Sequence, residues 1–343
     1  MTTCACASSS SVWRSHVIAW NDTMPKPTLS ITRLLIDPVL ERASRDYDIW
    51  LNRDDHILTA DELIARSAES DALMICHSEI LSADVVDAFS SRLKIVANYS
   101  VGVDHCDLEA LKRRGIVVTN TPDVLSDATA EIAMLLLLGA SRRAYEGERM
   151  LREGSWTHWA PIAMNGIQVT GKRLGIVGMG RVGQMVARRA RGFDMQIHYF
   201  NRSPLPEALA EGAQYHPSLQ SLFESVDMIS LNCPATAESE NLINAESIGW
   251  MRPGAVFVNT ARGRLVDEDA LLDALRSGHI AAAGLDVFKT EPGGNPQFAS
   301  LSNVFMLPHL GSSTQETRKA MGDRALDNLD AFFQGREPRD RLV

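Results

Sequence analysis

Residues Gly175 to Gly183 read Gly-Ile-Val-Gly-Met-Gly-Arg-Val-Gly and contain Gly-x-Gly-x-x-Gly. The run follows an apolar stretch of strand character and opens a helical pattern, the context in which such a loop binds a dinucleotide pyrophosphate. Gly178 allows the tight turn, Gly180 lets a phosphate approach the backbone, and Gly183 permits close packing of helix on strand. The amides of Arg181 and Val182 then face the phosphates at a helix N-terminus, where the peptide dipoles favour an anion. The plain alternative is a glycine turn that binds nothing. About twenty residues further on, a NAD-binding unit usually ends its second strand in Asp or Glu, which holds the ribose 2′-hydroxyl. Here that strand ends Tyr199-Phe200-Asn201-Arg202-Ser203, with Asn201 where the carboxylate is expected. A carboxylate would repel a 2′-phosphate, whereas Arg202 and the Ser203 hydroxyl suit one. The expectation is NADP(H), with NAD(H) bound more weakly; the alternative is a solvated surface arginine.

Three later segments place polar side chains just after apolar runs. Asn259-Thr260-Ala261-Arg262-Gly263 follows one run. Gly284 to Pro292, carrying Asp286 and Glu291, follows the next. Leu307-Pro308-His309-Leu310-Gly311-Ser312 follows the last. In an open α/β sheet the ligand lies outside the carboxyl ends of the strands, so these loops converge on one crevice. Taken singly, a Glu before Pro is commonly a loop charge and a His after Pro a satisfied surface or core histidine.

In this order, the phosphate loop, Ala261-Arg262-Gly263, Leu285-Asp286-Val287-Phe288 with Glu291-Pro292, and Pro308-His309 resemble the D-isomer-specific 2-hydroxyacid dehydrogenases. The resemblance runs from about residue 32 to 335 and takes in Asn98 to Asp104 and Ala130 to Ala133. The loop Gly154 to Pro161 is similar to that of the glyoxylate/hydroxypyruvate reductase branch. The resemblance implies NADPH-dependent reduction of a small 2-keto acid, glyoxylate to glycolate or hydroxypyruvate to D-glycerate. The implied catalytic residues are Arg262, Glu291 and His309. His309 is the acid that protonates the keto oxygen, and Glu291 favours its imidazolium and fixes its orientation. Arg262 clamps the substrate carboxylate and polarises the carbonyl, a bidentate geometry that Lys cannot match. Ser100, Val101 and Gly102 complete the carboxylate site. Trp156 and Trp159 either pack or serve the pocket of a partner subunit, with Trp159 chosen for that role. The implied cofactor contacts are Thr129, Gly178, Gly180, Arg181, Val182, Gly183, Asn201, Arg202, Ser203, Cys233, Pro234, Thr260, Ala261, Arg262, Asp286, His309 and Gly311, Asp286 holding the nicotinamide carboxamide. No metal is implied, and a homodimer is. The bulkier 2-ketogluconate is the alternative substrate. Formate dehydrogenases fit less well, having glutamine where this chain has Glu291. The rival from another class is a nucleotide-sensing scaffold or corepressor on the same fold, which needs a peptide groove on the first domain and a long disordered tail.

The elements that must position these groups read as two α/β units. In the first, Leu34 to Ile36, Ala72 to Cys76, Leu93 to Ala97 and Ile116 to Thr119 read as buried strands, and Thr59 with Glu62 forms a capping box. A long helix is expected from about Asp127 to Leu151. The second unit has strands at Leu174 to Val177, Met195 to Phe200, Val226 to Leu231, Ala255 to Asn259, Ala281 to Asp286 and Val304 to Leu307. Asp267 opens a helix that Gly278 closes. Ser313 to Glu316 opens a final helix as a second capping box, and Gly335 ends it. The fold class is α/β: two Rossmann-like or flavodoxin-like domains with parallel sheets and the active site in the cleft between them. Residues 24–123 and 310–343 form the expected substrate domain, and 124–309 the NADP-binding domain.

Composition bounds the rest. With 343 residues, 45% of them hydrophobic and 22% charged, the chain can bury two cores without metals or disulfides. The net charge of −9 argues against nucleic acid or an anionic membrane as partner. Five cysteines (Cys4, Cys6, Cys76, Cys106 and Cys233) make an odd set without zinc-site spacing, which points to free thiols in the cytoplasm. No apolar run is long enough to span a bilayer. Residues 1–23 are Ser-rich and carry no acid before Asp22, as in a transit peptide. The reading preferred here is a disordered extension, with Met24 as the natural start.

Overall fold

The computed structural model describes residues 25–343. The expectation for the N-terminal extension lies outside the described residues. Strands β1 (Thr28–Ile31), β2 (Asp48–Leu51), β3 (Ala72–Ile75), β4 (Ile95–Asn98) and β5 (Val117–Thr119) form a parallel sheet of order β2-β1-β3-β4-β5. Strands β6 (Arg173–Val177), β7 (Gln196–Phe200), β8 (Gln214–His216), β9 (Met228–Leu231), β10 (Ala255–Asn259), β11 (Ile280–Leu285) and β12 (Val304–Met306) form a second, in the order β12-β11-β10-β9-β6-β7-β8. Its pairings are all parallel too. The strand order reverses direction at β1/β3 in one sheet and at β6/β9 in the other, and a crevice opens at such a switch point.

Four expectations need correction. Leu34 to Ile36 is not a strand. The first strand lies earlier, at Thr28–Ile31, where Leu29 and Ile31 are buried, while Leu34 is 48% exposed and Ile36 caps the helix Asp37–Asp46. Pro38 in the first turn of that helix explains why the apolar run stops being extended. The edge strands β2 and β8 escape a search for apolar runs because β2 alternates in exposure and β8 is three residues of Gln-Tyr-His. The long helix breaks at Arg143, whose φ of 55° is left-handed, into Ser126–Ser141 and Ala144–Arg152. The Arg143 guanidinium bonds Glu146 at 2.7 and 2.8 Å and ties down the restart. The last helix, Gln315–Phe333, is capped one residue later than expected: the Thr314 hydroxyl accepts the Thr317 amide at 3.1 Å, without Ser313 and Glu316.

The Thr59/Glu62 capping box is present, and Asp267 and Gly278 bound the helix Glu268–Ser277. Helix Ser126–Ser141 packs on β10, β11 and β12. Gly284 makes that approach possible, since a Cβ there would sit 2.7 Å from Leu136 Cβ. The final helix returns to the first sheet. Its Met321, Ala325, Leu326 and Leu329 share one core with Leu29, Val39, Met74 and Ala97. Burying each such Leu or Met is worth about 1.5–3 kcal/mol.

Candidate active site

The phosphate loop joins β6 to the helix Arg181–Arg191, and its three glycines answer three different constraints. Gly178 has a φ of 93°, and a Cβ there would lie 2.6 Å from the Cys233 nitrogen across the switch point. At Gly183 a Cβ would meet the Gly178 oxygen at 2.3 Å. Around Gly180 nothing lies within 4 Å of a built Cβ, so this residue fronts open space. An open cradle at the free amides of a helix N-terminus fits a dinucleotide pyrophosphate.

Asn201 Oδ1 accepts the Met179 amide at 2.7 Å, so this side chain braces the loop from the end of β7. Arg202 and Ser203 are exposed beside it, and Arg202 has no ion-pair partner among the described residues. Arg181 instead pairs with Asp123, which follows β5 in the chain. Burial pushes the Cys233 thiol up to about 11, which leaves it an inert wall next to Pro234. Thr260 is buried. The Thr129 hydroxyl donates to the Leu125 and Gly311 carbonyls at 3.0 and 3.1 Å, joining helix Ser126–Ser141 to the loop after β12.

The other end of the crevice takes groups from both sheets. Asn259, at the end of β10, folds the next turn on itself: its Oδ1 accepts the Ala261 amide and its Nδ2 donates to the Arg262 carbonyl, both at 2.9 Å. The Arg262 side chain then crosses to the first sheet. Its Nε donates to Asp104 Oδ1 at 3.1 Å, and a Cβ on Gly102 would be only 1.8 Å from its Nη2. The facing loop is braced by buried Asn98, whose Nδ2 donates to the Gly102 carbonyl at 2.8 Å and whose Oδ1 meets His105 Nε2 at 3.1 Å. The Ser100 and Val101 carbonyls are also occupied, by the Thr121 amide and the Asn120 side chain. Among the described residues, the amides of Val101 and Gly102 have no protein acceptor.

Glu291 and His309 meet at 2.6 Å, Oε2 to Nδ1. Glu291 Oε1 also accepts the Phe288 amide at 2.8 Å. Burial would raise the Glu291 pKa, but the hydrogen bond and charge of His309, with the Phe288 amide, outweigh it and hold the carboxyl below its usual value. Gly263 packs against the Phe288 carbonyl so closely that a Cβ would lie 1.8 Å from its carbon, which locks the Arg262 turn to the Glu291 loop. Asp286 shapes the His309 turn. Its backbone oxygen accepts the His309 amide, and its carboxylate accepts the Leu310 and Gly311 amides at 2.7 and 2.8 Å. Those bonds keep His309 at a left-handed φ of 54°, a conformation that costs about 1 kcal/mol or more. Burial pushes Asp286 up to about 6 against the pull of those amides and of His309.

Arg262, Glu291 and His309 are therefore brought together, with Gly102 opposite. Trp159 is 76% exposed on the outer surface, in a stretch that also exposes Leu151, Trp156 and Ile162. Three participants had no role assigned from the sequence: Asp104 and Asn98, which lie at the ends of a segment that carries the resemblance, and His77. The His77 ring lies 4.8 Å from that of His309, and His77, Glu291 and His309 could together offer donors to an ion within 4.8 Å of one another. Two ligands of a tetrahedral ion with bonds of about 2.0 Å sit roughly 3.3 Å apart, so the 2.6 Å Glu291–His309 pair is set for sharing a proton. The one available signal for His77 was its place just past a strand end.

Residues 134–311 match the family model for the NAD-binding domain of D-isomer specific 2-hydroxyacid dehydrogenases. A glycerate dehydrogenase of Hyphomicrobium methylovorum is 43% identical over 91% of this chain and 98% of its own length. A glyoxylate reductase of Thermococcus onnurineus is 42% identical over 91% and 95%. Among solved structures, an NADPH-dependent glyoxylate/hydroxypyruvate reductase of Sinorhizobium meliloti, in complex with NADP and malonate, superposes with a TM-score of 0.84 at 35% identity, covering 93% of this chain and 97% of that one.

Proposed function

The chain belongs to the D-isomer specific 2-hydroxyacid dehydrogenase family, and from that premise we propose that it reduces glyoxylate or hydroxypyruvate with NADPH in preference to NADH. The observation that carries this is the His309–Glu291 pair at 2.6 Å in the same cleft as Arg262, which lies against Gly102. Bound nicotinamide dinucleotide supplies the hydride to substrate C2. Arg262 and the free amides of Val101 and Gly102 hold the substrate carboxylate. His309 uses Nδ1 on Glu291, so Nε2 is left to give its proton to the keto oxygen. The depressed Glu291 stays ionised and stabilises the imidazolium before transfer. Arg202 and Ser203, exposed beside the Asn201 brace and without side-chain partners among the described residues, are the groups for a 2′-phosphate. A chiral product is the D isomer.

The proposed substrate domain is residues 24–123 with 310–343, and the cofactor domain is 124–309. The exposed apolar stretch with Leu151, Trp156, Trp159 and Ile162 is the proposed homodimer face, with Trp159 reaching the partner's pocket. No helix among the described residues is long and apolar enough to cross a membrane, and the proposed location is the cytoplasm. Initial rates with glyoxylate, hydroxypyruvate and 2-ketogluconate, each with NADPH and NADH, test the reading. Turnover with NADPH and a small keto acid is the expected result. Protein that binds NADPH yet turns over none of the three defeats it.

A further inference from the structure

The amides of Val101 and Gly102, which have no protein acceptor among the described residues, each belong to a trans peptide unit. In such a unit the N–H and the C=O point in opposite directions within one rigid plane. Whatever holds the carbonyl therefore aims the amide. The Val101 amide shares its plane with the Ser100 carbonyl, which accepts the Thr121 amide at 3.1 Å. The Gly102 amide shares its plane with the Val101 carbonyl, which accepts Asn120 Nδ2 at 2.9 Å. Both fastenings come from the two residues that directly follow β5. The first is main chain to main chain and indifferent to residue type. The second needs a side-chain donor at position 120.

Asn120 is itself held. Its amide donates to the Asp340 carbonyl and its carbonyl accepts Asn328 Nδ2, both at 3.3 Å. Asn328 is 1% exposed; it also donates to Asp340 Oδ2 at 3.0 Å and accepts the Asp340 amide at 3.2 Å. Arg324 bonds both oxygens of the Asp340 carboxylate. Buried polar networks rigidify when their groups are paired. The main chain at 120 is thus fixed to the last helix and the segment after it, and its side chain reaches from that frame to the Val101 carbonyl. We propose that Asn120 is a positioning residue of the substrate-carboxylate site: it fixes the direction of the Gly102 amide beside Arg262, so that amide and guanidinium grip one carboxylate together. This rests on the reductase reading above, in which that carboxylate belongs to the keto acid. Without the bond the peptide plane is free to swing, and each binding event must order it. That cost falls on ground state and transition state alike, so it raises KM and leaves kcat.

The test compares wild type, Asn120→Leu and Asn120→Gln. Leucine keeps the branched shape and adds no charge but has no donor, whereas glutamine keeps the donor on a longer arm. KM and kcat are measured with glyoxylate and NADPH. Calorimetry gives the Kd of NADPH and, on the NADPH-saturated enzyme, of oxamate, a carboxylate of keto-acid shape that is not reduced. Asn120→Leu should raise the glyoxylate KM and the oxamate Kd by about 5- to 10-fold. Its kcat and NADPH Kd should stay within about twofold of wild type, and Asn120→Gln should recover most of the loss. The NADPH stoichiometry counts folded sites, so a misfolded fraction corrects out of kcat and leaves KM and Kd untouched. A KM and an oxamate Kd in Asn120→Leu within about twofold of wild type overturn the role. So does a loss of kcat or NADPH affinity as large as the rise in KM, which marks a residue of the scaffold, and so does an Asn120→Gln no better than Asn120→Leu. A wild type that binds oxamate but reduces no keto acid defeats the reductase reading instead, and the oxamate Kd ratio then still decides whether Asn120 positions the site.

Discussion

The two ends of the crevice are built differently. The phosphate end is one contiguous loop whose geometry is set by its own glycines and by the neighbouring strand ends at Asn201 and Cys233. The acid–base end is composite: Gly102 and Asp104 come from the first sheet, and Arg262, Glu291 and His309 from three loops of the second. Three of those four segments have a buried brace, Asn98, Asn259 and Asp286 respectively for the Gly102 loop, the Arg262 turn and the His309 turn. A contiguous site fails locally when one residue changes. A composite site fails in proportion to how many of its segments a change displaces.

The sharpest test of that contrast removes groups from the composite end. Arg262→Ala and His309→Ala should each lower kcat by at least about 100-fold. Near-normal kcat in either variant would sink its assigned role. A matched pair comes next. In Gly102→Ala the new methyl collides with the Arg262 guanidinium, so KM for the keto acid should rise about tenfold or more while NADPH binding holds. In Gly183→Ala the methyl collides with the Gly178 carbonyl, so NADPH binding should weaken by about tenfold while the rate at saturation is largely kept. If both variants damage substrate and cofactor parameters equally, the two ends are not separable. Smaller again is the exchange of Arg202→Ala with Asn201→Asp. The aspartate keeps an acceptor for the Met179 amide and gives the ribose a carboxylate, so the NADPH-to-NADH preference should fall by about tenfold. An unchanged preference refutes the reading of that strand end.

The smallest effect concerns stability. His198 and His216 lie side by side on β7 and β8, 2.9 Å apart, and both have pKa values below 6.5, burial being the main cause and His216 adding to the shift of His198. With a folded pKa below the unfolded one, the unfolded chain binds more protons between the two values. The neutral pair therefore contributes its full stability above pH 6.5, and that contribution is lost as pH falls from there towards the folded values. Thermal unfolding should show a Tm that falls from about pH 7 to about pH 5, and a shallower fall in His216→Gln. Parallel curves for the two proteins would show that the pair does not titrate on unfolding.

Legibility in the sequence followed the same division. The phosphate loop could be read residue by residue because its constraints are local: Gly178 takes the positive φ of a tight turn and Gly183 packs against the strand end, while Gly180 fronts open space. Arg262, Glu291 and His309 could be named through the resemblance, but their braces could not. Asp104 acts on Arg262, its neighbour only after two sheets have formed, whereas Asn98 and Asn259 fold their own loops through side-chain bonds that no pattern of residue types announces. His77 offered only its place past a strand end, a weak signal until His309, more than two hundred residues away in the chain, is laid beside it. The missed strands were edges, where half of each strand faces water and no apolar run survives. The missed helix break was a single left-handed arginine, which nothing in an apolar periodicity can report.

The return of the final helix to the first sheet also sets an order of assembly. A chain made from its N-terminus completes the seven strands of the second sheet before the residues that finish the first core exist. Leu29, Met74 and Ala97 must wait for Met321, Leu326 and Leu329, at the far end of the sequence. The second sheet with helix Ser126–Ser141 can close on contacts already synthesised, whereas the first stays open on one face through nearly the whole of translation. That open face, rather than the cofactor half, is where a nascent chain of this protein is most exposed to mispairing and to chaperones.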